Sequence, residues 1–158
     1  MNYKLDTDTH VYFYEQEFYV LSNFSSFEVC WGGTWFKSAE HLYHWLKFDW
    51  KYPNIRHDII NAHSAHHAFE IAQMNKQYRI SNWDGIKLVR MKEILTLKLQ
   101  QHEYVRRKLL QTGDRILVED SWRDSLWGWG PNKDGENLLG KLWMELREDL
   151  RNGKIEIQ

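Results

Sequence analysis

Short runs of apolar, aromatic and β-branched residues occupy the first third of the chain, and turn residues separate them. The runs lie at residues 11–14, 18–21, 28–31 and 34–36. Such runs are typical of β-strands. Gly32 and Gly33 stand between the last two runs, and a Gly-Gly pair favours a two-residue hairpin turn. The pattern predicts a small N-terminal antiparallel β element.

Beyond residue 37 the apolar positions recur every three or four residues, which is the period of helices with one buried face. Residues suited to helix starts precede these stripes, namely Ser38, Pro53, Ser64 and Asp84. A Trp- and Gly-rich loop at 121–135 follows a short apolar run at 116–118, and the last helix begins at about Asn137. We find no repeat and no linker. The expected fold is therefore α+β and predominantly helical, with one domain spanning 1–158.

The composition supports one domain and limits the possible partners. With 158 residues, of which 42% are hydrophobic, the chain can bury most of the surface that its unfolded form exposes. The net charge is −1, so the chain lacks the overall basic field that sequence-independent nucleic-acid binding requires, although a local basic patch is compatible with this charge. Nine Trp, eight Tyr and seven Phe exceed what a core of this size requires, so we expect some of them to face a ligand.

Cysteine content and apolar runs together predict a cytoplasmic protein. Cys30 is the single cysteine, which argues against a disulfide framework and fits a reducing compartment. A small core residue is a better interpretation of it than a nucleophile. The N-terminus has no signal-peptide core, and no apolar run approaches the length of a membrane span. We therefore expect a soluble cytoplasmic protein without a membrane partner.

The segment 35–48 is chemically the most informative part of the chain. It strings one acid, two imidazoles and an amine along a short helix that Ser38 can cap. At about 3.6 residues per turn, Glu40, His44 and Lys47 fall on one face of that helix. The arrangement suits acid–base chemistry, and it is equally compatible with an exposed face that bears an ordinary Glu40–His44 surface pair.

The loop at 121–135 combines carboxylates, tryptophans and glycines. This combination is typical of sites where the backbone approaches a ligand closely and a ring stacks on it. The position of Asp124 next to Trp127 and Gly128 favours a functional role for its carboxylate. For the other tryptophans of the loop, a hydrophobic plug that seals one end of the core is an equally good interpretation.

No cluster of residues predicts a metal site or a cofactor site. His63, His66 and His67 offer an i, i+3 pair on a helix, but no third ligand with suitable spacing stands nearby. Nothing in the chain resembles a phosphate-binding Gly-rich loop or a dinucleotide fingerprint. We therefore expect no metal and no cofactor.

Ordered blocks of residues along nearly the whole chain resemble those of one protein family. The opening block consists of Leu21, Ser22, Asn23 and Phe24, followed by Trp35, Ser38, Glu40, His41, Tyr43, Lys47 and Phe48. The closing blocks consist of Thr112, Gly113, Asp114, Leu117, Val118, Glu119, Arg123, Asp124, Trp127, Gly128, Gly130, Asn137, Leu139, Gly140, Met144 and Arg147. In this order, the blocks resemble the NADAR family, named for its association with NAD and ADP-ribose.

The resemblance implies an N-glycosidase. Characterised relatives hydrolyse the bond between ribose 5-phosphate and an amino-pyrimidine in early intermediates of riboflavin biosynthesis, and other relatives remove ADP-ribose from guanine bases. Both reactions break a C1–N bond of a ribose and build an oxocarbenium-like charge at C1, which a nearby carboxylate stabilises. The implied partner is therefore a small ribosyl phosphate substrate or ADP-ribosylated nucleic acid.

The functional positions of the family fall on particular residues of this chain. Glu40 is implied as the catalyst that activates water or stabilises the cation. Lys47 is expected to orient a phosphate or hydroxyl group, or to attack an opened ribose as a neutral amine with a lowered pKa. Asp124 is expected to hold the sugar hydroxyls or the leaving base. The expected substrate contacts are Asn23, Phe24, Trp35, His41, Tyr43, His44, Trp83, Trp127, Gly128 and Asn137.

The chain departs from the family between Tyr43 and Lys47. Relatives commonly have a glutamine-rich stretch at this place, whereas this chain has His44, Trp45 and Leu46. His44 adds either a proton carrier suited to neutral pH or a stacking ring, and the family implies neither role.

Three functions stay open from the sequence. Hydrolysis of ribosylamino-pyrimidine phosphates predicts a closed pocket with a phosphate-sized basic corner. Removal of ADP-ribose from guanine in nucleic acid predicts an open groove with basic residues, such as those at 106–108, beside its mouth. Non-catalytic binding of ADP-ribose-like ligands would not require Glu40. The sequence makes no prediction of oligomeric state.

Overall fold

The computed structural model describes residues 6–14 and 16–158. In chain order its elements are β1 (His10–Tyr12), a 3-10 helix (Gln16–Leu21), β2 (Val29–Trp31), β3 (Thr34–Phe36), α1 (Ala39–Trp45), α2 (Pro53–Ile60), α3 (Ala65–Met74), a 3-10 helix (Lys76–Tyr78), α4 (Trp83–Gln101), α5 (Glu103–Gln111), β4 (Ile116–Val118) and α6 (Leu138–Arg151). One compact unit comprises Met1–Ser22 and His102–Gln158, and the other comprises Asn23–Gln101. The predicted helix-rich α+β class is confirmed.

A β-hairpin stands near the start of the unit Asn23–Gln101, as the Gly-Gly pair predicts. Strands β2 and β3 pair in antiparallel orientation, with Cys30 opposite Trp35. Gly32 and Gly33 have φ angles of +55° and +83°. Glycine adopts this left-handed conformation without a steric penalty, and two such residues in succession give the hairpin turn that matches strand twist.

Helices α2 and α3 and the end of α1 pack around a small apolar core. Its buried members are Phe48, Ile59, Ala62, Ala68 and Ala72. Alanine at three of these positions lets α3 approach its neighbours closely. At the end of α4, Gln101 exchanges hydrogen bonds of 2.9 and 3.0 Å with the backbone N–H and carbonyl of Cys30. This exchange ties α4 to β2.

The predicted helix starts are confirmed with one exception. Pro53 opens α2, and Ser64 caps α3 by accepting a hydrogen bond from the His67 amide. Asp84 does not cap α4, because that helix already begins at Trp83. Asp84 instead lies in the first turn, where its negative charge interacts favourably with the helix dipole.

The prediction of a strand at 18–21 is wrong, because Gln16–Leu21 forms a 3-10 helix. Phe18 and Leu21 are both buried. Phe18 has non-helical angles (φ −102°, ψ 21°), so a kink interrupts the segment there. Residues three apart lie on opposite faces of a strand, so a strand would not bury both side chains on one face. The indole N–H of Trp143 on α6 donates to the Leu21 carbonyl at 2.9 Å and fixes the end of this turn.

Strands β1 and β4 form a short parallel pair in the same unit, with Val11 opposite Leu117. The sequence predicts each apolar run but not their pairing, because about a hundred residues separate them. No helix in the described residues is both long and apolar enough to cross a membrane.

Candidate active site

Two contacts fix the start of α1. Ser38 caps the helix as predicted, since its Oγ accepts a hydrogen bond from the His41 amide at 3.2 Å. The Glu40 amide donates to the Asn23 carbonyl at 3.1 Å. The side-chain oxygen of Asn23 is buried and has no hydrogen-bond partner among the described residues. This environment supports the predicted contact of Asn23 with a substrate.

Glu40 and His44 form a buried pair on one face of α1. Their closest atoms, Glu40 Oε1 and His44 Nε2, lie 2.6 Å apart. Burial lowers the pKa of His44 and outweighs the opposing effects of the Glu40 charge and hydrogen bond. The neutral ring therefore donates its Nε2 proton to the carboxylate, and its Nδ1 meets no partner among the described residues. The pair is not the exposed surface pair that the sequence allowed.

His41 has a different environment, although it lies on the same helix. Its Nε2 is 3.0 Å from the Ala62 carbonyl oxygen, and its Nδ1 is 2.7 Å from Ser38 Oγ. A carbonyl only accepts, so Nε2 bears the proton and Nδ1 accepts from the serine hydroxyl. Burial lowers the pKa of His41, although the hydrogen bond to Ala62 opposes the shift. Both ring nitrogens are engaged within the fold, which favours a structural role, and substrate contact stays a prediction.

Lys47 lies in the turn that follows α1. The prediction that it continues the helix is wrong, because α1 ends at Trp45. The turn nevertheless keeps Lys47 near the buried pair. Its amide donates to the His44 carbonyl at 3.2 Å, and its Nζ lies 5.0 Å from the centre of the Tyr43 ring.

The surroundings of Lys47 favour its neutral form. Burial lowers the pKa of Lys47 to about 8, and the Glu40 charge opposes this shift. The positive charges of Arg79, Lys87 and Lys76 lower the pKa further. At pH 7 about one Lys47 side chain in ten is therefore a neutral amine, against about one in several thousand for an ordinary lysine.

The sequence did not predict that an ion-pair group of Arg79, Asp84 and Lys87 lies near Lys47. Asp84 binds both Arg79 and Lys87, at 3.2 and 3.1 Å. The i, i+3 spacing of Asp84 and Lys87 at a helix start is a local signal for this ion pair. Nothing in the sequence places the pair next to Lys47, because that proximity depends on the packing of α4 against α1.

Aromatic residues of this unit divide into buried and exposed rings. Tyr43 is buried, and its ring centre lies 5.2 Å from that of His44 and 5.2 Å from that of Trp83. Trp83 is almost completely buried, which favours a packing role. Phe24 and Trp35 are exposed, so a ligand can reach both rings. The substrate contacts of these four residues stay predictions.

Residues 119–137, here called the tryptophan loop, belong to the other unit. Asp124 Oδ1 accepts hydrogen bonds from the amides of Leu126 and Trp127, both at 2.9 Å. The carboxylate therefore shapes the turn before Trp127, whose ring is buried. These contacts favour a structural contribution, and the catalytic role of Asp124 and the stacking role of Trp127 stay predictions.

Gly128 and Asn137 shape the same loop. A Cβ atom at Gly128 would lie 2.7 Å from the Glu119 carbonyl oxygen, so a larger residue forces the backbone to move. Asn137 Oδ1 accepts from the Glu119 amide, and its Nδ2 donates to the Leu117 carbonyl, both at 2.9 Å. Because the two polar side-chain atoms of Asn137 bind the backbone of the loop and of β4, a structural role is favoured. Substrate contact by either residue stays a prediction.

The predicted site residues thus fall into two groups. Glu40, His44, Lys47 and Tyr43 come together around α1. Asp124, Trp127, Gly128 and Asn137 build local structure in the tryptophan loop. The first group alone combines buried ionisable side chains with a strongly shifted pKa, which is the arrangement expected of a catalytic centre.

The described residues contain no group of three or more His, Cys, Asp or Glu side chains arranged to hold a metal ion. The rings of His63 and His67 lie 4.2 Å apart. His66 instead forms an exposed pair with Glu70 at 2.7 Å.

Known proteins resemble the chain over most of its length. The NADAR domain family model matches residues 12–151. An N-glycosidase from Nostoc punctiforme is 35% identical over 145 residues, which cover 90% of this chain and 93% of that protein. A riboflavin biosynthesis protein from Vibrio vulnificus is 33% identical over 143 residues, which cover 89% of this chain and 38% of that protein.

The NMR structure of YbiA from Escherichia coli has the same fold. Its TM-score is 0.82 at 32% identity, and the match covers 98% of this chain and 92% of that chain. The YbiA protein of strain K12 bears the name N-glycosidase. These relatives confirm the expected class of a hydrolase that acts on N-glycosyl compounds. The chain belongs to the NADAR family.

Proposed function

We propose that this chain hydrolyses the C1–N ribosyl bond of ribosylamino-pyrimidine 5'-phosphates, which are intermediates of riboflavin biosynthesis. Relatives named N-glycosidase and riboflavin biosynthesis protein support the proposal. The structural support is the buried Glu40–His44 pair beside an amine of lowered pKa, Lys47. The family model spans 12–151, which supports one NADAR-like domain over 1–158. A cytoplasmic location, supported by the free Cys30, fits this substrate.

Glu40 supplies the carboxylate in the proposed reaction. Cleavage of the C1–N bond sends the bonding electron pair to nitrogen, and positive charge develops at C1. A carboxylate in a buried site stabilises that charge more strongly than one in water. The hydrogen bond from His44 holds Glu40 in one orientation. Glu40 also accepts the proton of the water that adds to C1.

Lys47 supplies the neutral amine that brings about this C1–N cleavage, and the reaction proceeds through the open-chain form of the sugar, on which the positive charge at C1 develops. When the ring of a ribosylamine opens, C1 is joined to nitrogen as an imine. The amine of Lys47 adds to C1, and the amino-pyrimidine leaves with its electron pair and a proton, so that an imine joins Lys47 to C1. Water then adds to C1, releases ribose 5-phosphate and restores the amine. The lowered pKa of Lys47 supports this role, because only the unprotonated amine attacks.

The alternative substrate, ADP-ribosylated guanine in nucleic acid, is less well supported. This alternative function predicts an open groove with basic residues, such as those at 106–108, beside its mouth. Arg107 lies 4.0 Å from Glu103, and Lys108 lies 3.5 Å from Glu17, so acidic neighbours offset part of this charge. The geometry therefore favours a small-molecule substrate.

A release assay tests the proposed function. Purified protein is offered ribosylamino-pyrimidine 5'-phosphates in one arm and DNA with ADP-ribosylated guanine in another, with Glu40→Ala as the control. We expect ribose 5-phosphate and free amino-pyrimidine from the first arm only. Release from the DNA arm alone would replace the proposal with the alternative. If neither arm exceeds the control while the protein still binds ADP-ribose, the chain is a binding module.

A further inference from the structure

Two cations and one carboxylate form a compact group at the start of α4. Arg79 Nη2 lies 3.2 Å from one oxygen of Asp84, and Lys87 Nζ lies 3.1 Å from the other. Both cationic side chains are half-buried, whereas Asp84 is exposed. Partial burial strengthens their interaction with an anion and still lets a solute reach them. We call these three residues the basic corner.

Backbone and ring contacts join the basic corner to the proposed active site. The Ile80 amide, one residue after the arginine of the corner, donates to the Lys47 carbonyl at 2.8 Å. Trp83, one residue before the carboxylate of the corner, lies 5.2 Å from the Tyr43 ring. That same ring faces the ammonium group of Lys47 at 5.0 Å. The corner therefore borders the turn that holds Lys47.

The charges of the basic corner do not cancel. Asp84 contributes one negative charge, whereas Arg79 and Lys87 contribute two positive charges. Lys76 adds further positive charge close enough to affect Lys47. A phosphate group with two negative charges neutralises this excess. The guanidinium group matches phosphate oxygens through paired N–H donors, and the ammonium group adds a point charge.

We propose that the basic corner binds the 5'-phosphate of the ribosyl substrate, with Arg79 and Lys87 as phosphate ligands and Asp84 holding both cations in position. The identity of the substrate rests on the proposed function, but phosphate binding by the corner does not. The phosphate and C1 lie at opposite ends of ribose 5-phosphate. Because the corner borders the turn of Lys47, phosphate binding there holds the ribose close to the proposed active site.

Binding experiments with ligands that are not hydrolysed test phosphate binding by the basic corner independently of catalysis. Isothermal titration calorimetry is performed with ribose 5-phosphate, ribose and ADP-ribose on wild type, Arg79→Ala and Lys87→Ala. We expect each substitution to weaken binding of ribose 5-phosphate at least about tenfold, because a hydrogen bond to a charged group is lost. Arg90→Ala is the matched control, since Arg90 lies on α4, as Lys87 does, and pairs with Glu93 at 2.9 Å. We expect its affinity to equal that of wild type.

Several outcomes decide the assignment of the corner. Equal weakening for ribose and ribose 5-phosphate, no weakening, or the same loss in Arg90→Ala would overturn it. Binding of ADP-ribose with no binding of ribose 5-phosphate would overturn the assignment to a phosphate monoester. Arg79→Lys keeps the charge and should regain part of the affinity, which loss of folding would not allow.

Turnover measurements test phosphate binding by the basic corner separately from the proposed function. With the phosphorylated substrate at pH 9, where most Lys47 side chains are unprotonated, we expect Arg79→Ala to raise KM about tenfold and to leave kcat within a few-fold of wild type. If wild type binds ribose 5-phosphate through the corner but hydrolyses no substrate, the proposed function fails and the corner stands. If wild type hydrolyses the substrate and Arg79→Ala has the wild-type KM, the function stands and the corner fails.

Discussion

Helix α1 and the tryptophan loop are both rich in polar and aromatic residues, but they use these residues differently. In the loop, Asp124 and Asn137 bind neighbouring backbone groups at 2.9 Å, so their side chains build the loop itself. On α1, Glu40 and His44 are buried against each other. Burial of ionisable groups costs free energy of folding even when they are paired, and such groups cluster at functional sites, which favours the catalytic role proposed for this pair. Burial and pairing therefore distinguish the two regions more clearly than composition does.

A second comparison, between two pairs of the same spacing, isolates the effect of burial. Glu40 and His44 are 2.6 Å apart, and their side chains are 11% and 3% exposed. His66 and Glu70 are 2.7 Å apart, and their side chains are 57% and 54% exposed. Exposed ion pairs contribute little, about 0–1 kcal/mol. The exposed pair therefore supplies matched controls for the buried one.

Apart from substitution of Glu40, the largest difference between the two regions should come from Lys47→Arg. We expect single-turnover cleavage to fall about 100-fold or more, because a guanidinium group stays protonated and cannot attack C1. Mass spectrometry after borohydride treatment of wild type should also detect a ribose 5-phosphate adduct on Lys47. Lys37→Arg is the control, since the Lys37 ammonium group donates to the Ala62 carbonyl at 3.1 Å and has no role in the proposed reaction. Wild-type activity in Lys47→Arg would contradict the amine role.

The pH dependence of turnover should follow the lowered pKa of Lys47, about 8. The reactive form is unprotonated, so kcat/KM should rise with pH below 8 and level off above it. We expect a rate at pH 7 about tenfold below the plateau. A profile measured from pH 6 to 9 that stays flat would argue against a titrating amine.

In the tryptophan loop, Asn137→Ala should reduce stability. Loss of the Asn137 side-chain amide leaves the Glu119 amide and the Leu117 carbonyl without their buried partner. We expect this to lower the free energy of unfolding by about 2–4 kcal/mol. We expect Tm to fall by roughly 5–15 °C. Asn61→Ala, which removes two exposed hydrogen-bond contacts with His57, should shift Tm far less. Equal Tm values for the two variants would show that the stability of the loop does not depend on the side-chain amide of Asn137.

The smallest effect concerns acid sensitivity at His44. Because burial lowers the pKa of His44 in the folded protein, the unfolded chain takes up a proton first as pH falls below about 6.5. Stability should therefore decline with acidification, and His44→Gln should make the decline of Tm between pH 6.5 and 5 shallower. His66→Gln, at an exposed site, should keep the wild-type slope. If both variants behave alike, His44 is not the source of the decline.

Local signals in the sequence predicted much of the fold. Ser38 and Ser64 cap their helices because the cap bonds to an amide only three residues away. The Gly-Gly turn likewise depends on two residues. The parallel pairing of β1 with β4 and the 3-10 helix at Gln16–Leu21 depend on contacts with distant segments, so the local pattern did not reveal them.

The same distinction applies to the candidate site. Helical spacing predicted that Glu40 and His44 meet, because they are one turn apart. Their burial, and the placement of Arg79 beside the turn of Lys47, arise from the packing of other helices around α1. Periodicity does not contain this information.

The most direct test of α1 as the catalytic centre compares Glu40→Gln with Glu70→Gln. Glutamine keeps the shape of glutamate but removes its charge. We expect the single-turnover rate of C1–N cleavage by Glu40→Gln to fall about 10²–10⁴-fold. The exposed variant, Glu70→Gln, should keep the wild-type rate, and circular dichroism should show that both variants are folded. Cleavage by Glu40→Gln at the wild-type rate would contradict the assignment of α1 as the catalytic centre.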